Sequence, residues 1–210
     1  GTVVQVVQAG YAIGDRVLVS CGLCGCAEQV VVGAAAAVPT PANLDAPRAA
    51  AFTQSYATAL YALRDRADLQ AGESVLVLGA GGGVGLACID VAQALGAHAI
   101  GAASSAEKRQ AALDRGAAAV IDTTTEVVKD RARELAAELA VDAAEPARRV
   151  TGVDVAVDPV GGELAEPALR ALGEGGRFLG IGFASGTIPA LPLNQVLLRN
   201  RAVLGVGLLV

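Results

Sequence analysis

Two hydrophobic rhythms divide this chain near residue 74. Before it, short β-branched runs at residues 2–7, 16–20 and 27–32 are separated by Gly10, Gly14-Asp15 and a Gly/Cys-rich loop at 22–26, the punctuation of a small β unit. Pro39 and Pro41 end that region, and an alanine-rich stretch from about Pro47 to just before Gly72 predicts a connecting helix. Beyond it, apolar runs at 75–78, 98–102, 119–121, 153–158, 177–181 and 202–206 predict strands. Between them, residues 84–95, 107–115, 126–139, 163–172 and 193–199 carry apolar positions at helical spacing. Six strands alternating with five helices predict an α/β domain, a doubly wound parallel sheet over residues 74–210. Residues 1–46 then form a separate β-rich piece and 47–73 the connection. Pro146 interrupts the pattern after Leu139, which predicts a second short helical turn beyond it.

The stretch SVLVLGAGGGVGLA, residues 74–87, changes this picture from fold to chemistry. A buried strand breaks into a glycine cluster and a helix begins at once. That arrangement suits a dinucleotide pyrophosphate, because glycine lets the backbone approach and the helix N-terminus offers free N–H groups and a positive dipole end. The spacing is Ala80-x-Gly82-x-x-Gly85, with alanine in place of the first glycine of the usual fingerprint. A glycine motif alone also describes an ordinary turn, and the flanking strand and helix are what single out dinucleotide binding.

The second strand of such a unit selects the cofactor. An NAD-binding chain places a carboxylate about twenty residues beyond the glycines, on the ribose hydroxyls. Here that place holds Ala102, Ala103, Ser104 and Ser105, with Lys108 and Arg109 one turn onward. Hydroxyls and cations pair with a 2′-phosphate, and two charge-assisted bonds of ~1.5–3 kcal/mol each give on the order of a hundredfold preference. The expected cofactor is NADPH. Ser104-x-x-Glu107 also fits a capping box, with Lys108 and Arg109 on a solvated face, and the two roles are compatible.

Composition narrows the partners. The net charge of -5 gives no basic footprint for nucleic acid, and no apolar run reaches the length of a membrane span. The chain has no methionine, opens on TVVQVV and closes on AVLGVGLLV, so both ends read as truncations of a longer protein. The expectation is a soluble cytoplasmic protein, with an organelle left open because a leader would be lost. Cys21, Cys24 and Cys26 form a C-x-x-C-x-C cluster, but a structural zinc site needs four ligands. The lone His98 opens a strand and Cys88 lies in an apolar helix, so no metal is expected.

Many short motifs then agree in order with a known group: GDRV at 14–17, AEQVVV at 27–32, SYATALYAL at 55–63, GESVLVLGAGGGVGLA at 72–87 and LGA at 95–97. They continue with ASSAEKR at 103–109, VDPVGG at 157–162, GGRFLGIGFASG at 175–186 and LLRN at 197–200. Together they resemble the zinc-free quinone oxidoreductase (zeta-crystallin-like) branch of the medium-chain dehydrogenase/reductase superfamily. The resemblance implies a Rossmann cofactor domain inserted in a GroES-like catalytic domain, of which this chain holds only part. It implies that Ala80, Gly82, Gly83, Val84 and Gly85 hold the pyrophosphate and that Ser105 and Lys108, beside Ser104, hold the 2′-phosphate. Thr58, with Tyr56 and Tyr61, would line the nicotinamide side, helix packing being the alternative for both tyrosines. The loop Gly182-Phe183-Ala184-Ser185 would pass the carboxamide, and residues 202–207 would pair with a second copy in a homodimer. The chain departs from the family at Thr123, where a tyrosine often stands near the adenine, at the long stretch 126–149, and at the cysteine loop.

Without zinc no Lewis acid polarises a simple carbonyl. A quinone or α,β-unsaturated carbonyl needs less help, because it spreads the incoming hydride's charge onto oxygen. The expected activity is therefore NADPH-dependent reduction of a small quinone or enone, with the catalytic residues not named by the sequence. Two rivals stand beside it: an enoyl reductase of polyketide or fatty-acid type, and a non-catalytic NADPH-binding protein.

Overall fold

The computed structural model describes residue 2 and residues 10–22, 25–141 and 151–207. The chain divides into two compact units, with the boundary between Ser55 and Tyr56. In the first, β1 (Val17–Val19) and β2 (Ala37–Pro39) pair antiparallel, and the Tyr11 hydroxyl donates to the Ala37 carbonyl at 2.5 Å. The strand expected over 27–32 does not form. The strand that pairs with β1 is Ala37–Pro39, and Val31 is left 98% exposed. Pro39 is tolerated there because this two-stranded ribbon is all edge. Of the run at 2–7, only Thr2 is described, in a single bridge to Arg16; the rest, and the turn expected after Pro146, lie outside the described residues.

Helix α1 (Ala46–Leu60) widens into a π-helical turn over Tyr61–Arg66 and stops before Gly72. The second unit holds the expected α/β sheet. Its strands are β3 (Ser74–Leu78), β4 (His98–Ala103), β5 (Ala119–Asp122), β6 (Val153–Asp158), β7 (Leu172–Gly180) and β8 (Ala202–Gly205). They lie in the order β5-β4-β3-β6-β7-β8, every neighbouring pair parallel. Reversal of the strand order between β3 and β6 creates the switch point at which doubly wound sheets bind ligands, outside the strands' carboxyl ends.

The intervening helices are α2 (Gly83–Ala94), α3 (Ala106–Asp114), α4 (Val128–Val141), α5 (Ala165–Ala171) and α6 (Leu193–Leu197). β3 is buried along its whole length because both faces are covered, which is why its sequence is continuously apolar. Val75 and Val77 join one core cluster with Ala87, Cys88 and Ile89 of α2, while Leu76 and Leu78 join another with Ala132, Leu135 and Leu169 of α4 and α5. Each fully buried leucine of this kind contributes roughly 1.5–3 kcal/mol. α4 starts two residues later than its pattern predicts, since the Glu126 carboxylate folds back to accept from the Asp122 N–H at 2.6 Å.

Candidate dinucleotide site

The glycine turn leaves β3 at Gly79, whose φ of +60° suits glycine. Ala80, the departure from the fingerprint, points into the core and is fully buried. A β-carbon on Gly101 of β4 would sit 3.0 Å from the Ala80 methyl, so a glycine across the sheet supplies the space that the missing one would have left. The Ala80 N–H donates to Ala102 at 3.1 Å, which locks the turn to the end of β4.

Gly82 is the N-cap of α2 and brings no side-chain cap, so the first N–H groups of the helix face outward unclaimed by a side chain. Gly82 and Gly83 are exposed and Val84 is half-buried. A β-carbon on Gly85 would lie 2.3 Å from the Gly79 carbonyl oxygen, a clash that shows how tightly helix and turn are packed. The cradle therefore fits a pyrophosphate: an uncapped helix start, small residues and an open face.

α3 starts beside this turn. Its cap falls one residue later than the Ser104-x-x-Glu107 spacing predicts: Ser105 has the extended backbone, and its hydroxyl accepts from the Lys108 N–H at 3.3 Å. Ser104, Ser105 and Lys108 are exposed at the carboxyl end of β4. Among the described residues the Lys108 ammonium has no carboxylate partner. Arg109 behaves differently, since its guanidinium sits 2.9 Å from Asp122 and also donates to the Ala103 carbonyl at 3.2 Å. Thr123, half-buried, donates its N–H to the same carbonyl at 3.3 Å. Bonds from Thr124, with Arg109 nearby, hold the Asp122 carboxyl below the usual range.

On the other side of the switch point, the loops after β6 and β7 are stitched together. Asp158 is 2% exposed, and its Oδ1 accepts from the N–H groups of Val160 at 2.8 Å and Gly161 at 2.7 Å. Burial raises its carboxyl above the ordinary range, against those two bonds. Ile181 and Gly182 donate to the Asp158 carbonyl, Ala184 to Pro159 and Ser185 to Val160. Phe183 projects from this platform, 49% exposed. The Val160 side chain also reaches the glycine turn: a β-carbon on Gly79 would meet its Cγ2 at 2.7 Å. The residues of Ala80–Gly85 and of 181–185 are thus linked through one loop, a connection no local motif signals.

The helix candidates separate. The Tyr56 hydroxyl donates to Asp90 and accepts from Arg115 at 3.1 Å, bonds of the kind the packing alternative describes. Burial and the Asp90 carboxylate raise the phenol's pKa. Thr58 is buried, and Tyr61 packs on the core cluster that contains Val157 and Leu179. Cys88 is fully buried, its thiol pushed up to about 12 by desolvation. His98 starts β4, at the opposite end from Ala103 and roughly 16 Å away at strand rise. Cys21 is half-buried and Cys26 exposed, while Cys24 lies outside the described residues. Among the described residues, no helix is long and apolar enough to cross a membrane.

Residues 83–209 match the family described as "Zinc-binding dehydrogenase". Over 208 residues the chain is 38% identical to "Quinone oxidoreductase-like protein 2 homolog" of Nematostella vectensis, covering 96% of this chain and 53% of that protein. It is 34% identical over 192 residues to "Mycocerosic acid synthase-like polyketide synthase" of Mycobacterium tuberculosis, covering 88% of this chain and 8% of that protein. The quinone oxidoreductase of Thermus thermophilus, solved also as its complex with NADPH, matches with a TM-score of 0.74 at 32% identity, covering 91% of this chain and 56% of that one. The chain spans about half the length of the quinone oxidoreductase-like relatives it matches. Sheet order, glycine turn and these likenesses agree: the chain belongs to the zinc-binding dehydrogenase family, on the quinone oxidoreductase branch of the medium-chain dehydrogenase/reductase superfamily.

Proposed function

We propose that this chain is the cofactor-binding part of an NADPH-dependent oxidoreductase that reduces a quinone or α,β-unsaturated carbonyl without zinc. The observation that carries the reading is the uncapped start of α2 at Gly82 beside the Ser104–Ser105 turn and Lys108, with no carboxylate at the end of β4. When bound, the reduced nicotinamide supplies the hydride. The chain's own work is to hold and orient. Ala80, Gly82, Gly83, Val84 and Gly85 take the pyrophosphate, Ser104, Ser105 and Lys108 the 2′-phosphate, Thr123 the adenine side, and Gly182 and Phe183 the carboxamide side.

Two of the residues that could have been ligands support metal independence. His98 stands at the amino-terminal end of β4, away from the glycine turn, and the Cys88 thiol is too buried to ionise readily. A homodimer through β8 is proposed as well, because β8 is a sheet edge whose Val203 is exposed, as are Leu193, Leu197 and Leu198 in the segment that leads into it.

The test is a fluorescence titration with NADPH and NADH in parallel. Tighter NADPH binding, lost in Lys108→Ala, supports the reading. Equal binding of both reduces Ser105 and Lys108 to a helix cap. The polyketide synthase likeness favours a second reading, an enoyl reductase, and turnover of an enoyl thioester in preference to a quinone by the full-length protein would select it. Tight NADPH binding with neither turnover would point to a non-catalytic binding protein.

A further inference from the structure

Two adjacent cations, Lys108 and Arg109, stand on the first turn of α3, and the fold treats them in opposite ways. Lys108 is exposed and unpaired among the described residues. Arg109 is drawn across the carboxyl ends of β4 and β5: one terminal nitrogen donates to the Ala103 carbonyl at 3.2 Å and the other lies 2.9 Å from Asp122 Oδ2. Asp122 is itself held, its other oxygen accepting from the Thr124 N–H at 2.9 Å and hydroxyl at 2.6 Å. Only about a fifth of each partner's side chain is accessible, 20% for Arg109 and 22% for Asp122.

A phosphate drawn to Arg109 would meet the Asp122 carboxylate beside it. The pair is neutral as a unit, which suits a neutral ligand group. A guanidinium whose edge is tied to fixed acceptors presents its flat face, and flat faces stack on aromatic rings. In a doubly wound sheet the adenosine half of the cofactor lies over the first mononucleotide half, here β3-β4-β5, and Arg109 spans the ends of β4 and β5.

We propose that Arg109 is a stacking shelf for the adenine ring, with Asp122 as its positioning residue, and that Lys108 alone of the two cations reads the 2′-phosphate. This rests on the dinucleotide reading above. It divides recognition between neighbours: Arg109 sets affinity for any adenine dinucleotide, and Lys108 sets the choice between NADPH and NADH.

The test measures dissociation constants for NADPH, NADH and the adenine-free reduced nicotinamide mononucleotide, with a thermal melt to confirm folding. Arg109→Gln weakens NADPH and NADH alike, by about tenfold, and leaves the mononucleotide unchanged. Arg109→Lys keeps the charge, loses the plane and shows the same loss. Asp122→Asn frees the guanidinium and shifts preference toward NADPH, since the released charge can reach the phosphate. A loss confined to NADPH in Arg109→Gln, full rescue by lysine, or no change in either affinity would overturn the shelf. A folded wild-type protein that binds neither dinucleotide would overturn the functional reading itself, and the shelf with it.

Discussion

Gly81 lies against the stem of Lys108: a β-carbon on Gly81 would fall 2.4 Å from Lys108 Cβ and 2.6 Å from its Cγ. The glycine turn and the start of α3 are therefore in van der Waals contact, and the pyrophosphate cradle is joined to the residue assigned to the 2′-phosphate. In Gly81→Ala the added methyl would also meet Lys108 Cα at 3.0 Å, and since no rotamer change moves Cα or Cβ, the glycine turn or the start of α3 must shift. The expected result is weaker binding of both NADPH and NADH, by about tenfold, read by titration of folded protein. Unchanged NADPH binding would mean that the contact does not position the lysine.

Lys108→Ala keeps the Ser105 cap, because the hydroxyl accepts from the backbone N–H and not from the side chain. Its melting temperature should stay within a degree or two of wild type. NADPH affinity should fall between tenfold and a hundredfold, the worth of one charge-assisted bond, while NADH affinity holds. Parallel loss of both would remove Lys108 from the specificity site.

Asp158 ties the loop after β6 through two N–H groups, and burial raises its carboxyl pKa. Asp158→Ala leaves those donors unpaired and should cost roughly 2 kcal/mol by denaturant melts. Asp158→Asn keeps an oxygen acceptor and sheds the buried charge. The sign follows from proton uptake: the folded state holds this proton at pH values where the unfolded chain, near pKa 3.9, has released it. Wild-type stability from this group thus falls as pH rises from about 4 through the raised folded value, and the asparagine variant gains on wild type over that window. A stability difference, asparagine variant minus wild type, that falls with rising pH would contradict the assignment.

Arg177, within β7, is clamped to Glu73, just before β3, with bonds of 2.8 and 2.6 Å, and it also donates to the Ala67 carbonyl at 3.1 Å. Truncation of either partner removes one half of a mostly buried ion pair. Arg177→Leu should cost about 3 kcal/mol, and the double variant with Glu73→Leu should recover part of it. Cofactor affinity, read at the other end of the strands, should not change beyond the loss of folded protein.

The proposed homodimer is checked by light scattering. Val203→Glu places charge on the edge strand and should give a monomer at concentrations where wild type is dimeric. A monomeric wild type would remove the dimer from the proposal.

The strand and helix sequence of the second unit and the parallel character of its sheet were legible from apolar periodicity, and the glycine turn from its spacing, because a sheet covered on both faces leaves continuous apolar runs and a cofactor turn needs glycine at fixed positions. Residues 27–32 misled because a β-branched run records strand propensity and not pairing, and the segment that pairs with β1 is Ala37–Pro39. Other decisions were made only by chain segments far apart in sequence. Gly101 makes room for Ala80, Val160 seats against Gly79, and Asp90 with Arg115 engages the Tyr56 hydroxyl. Asp122 separates Arg109 from Lys108, two cations that read alike in sequence. The physical reason is one of range. Periodicity and turn chemistry act over a few residues, whereas the charge state, orientation and free space of a site residue depend on whichever side chain the fold brings against it.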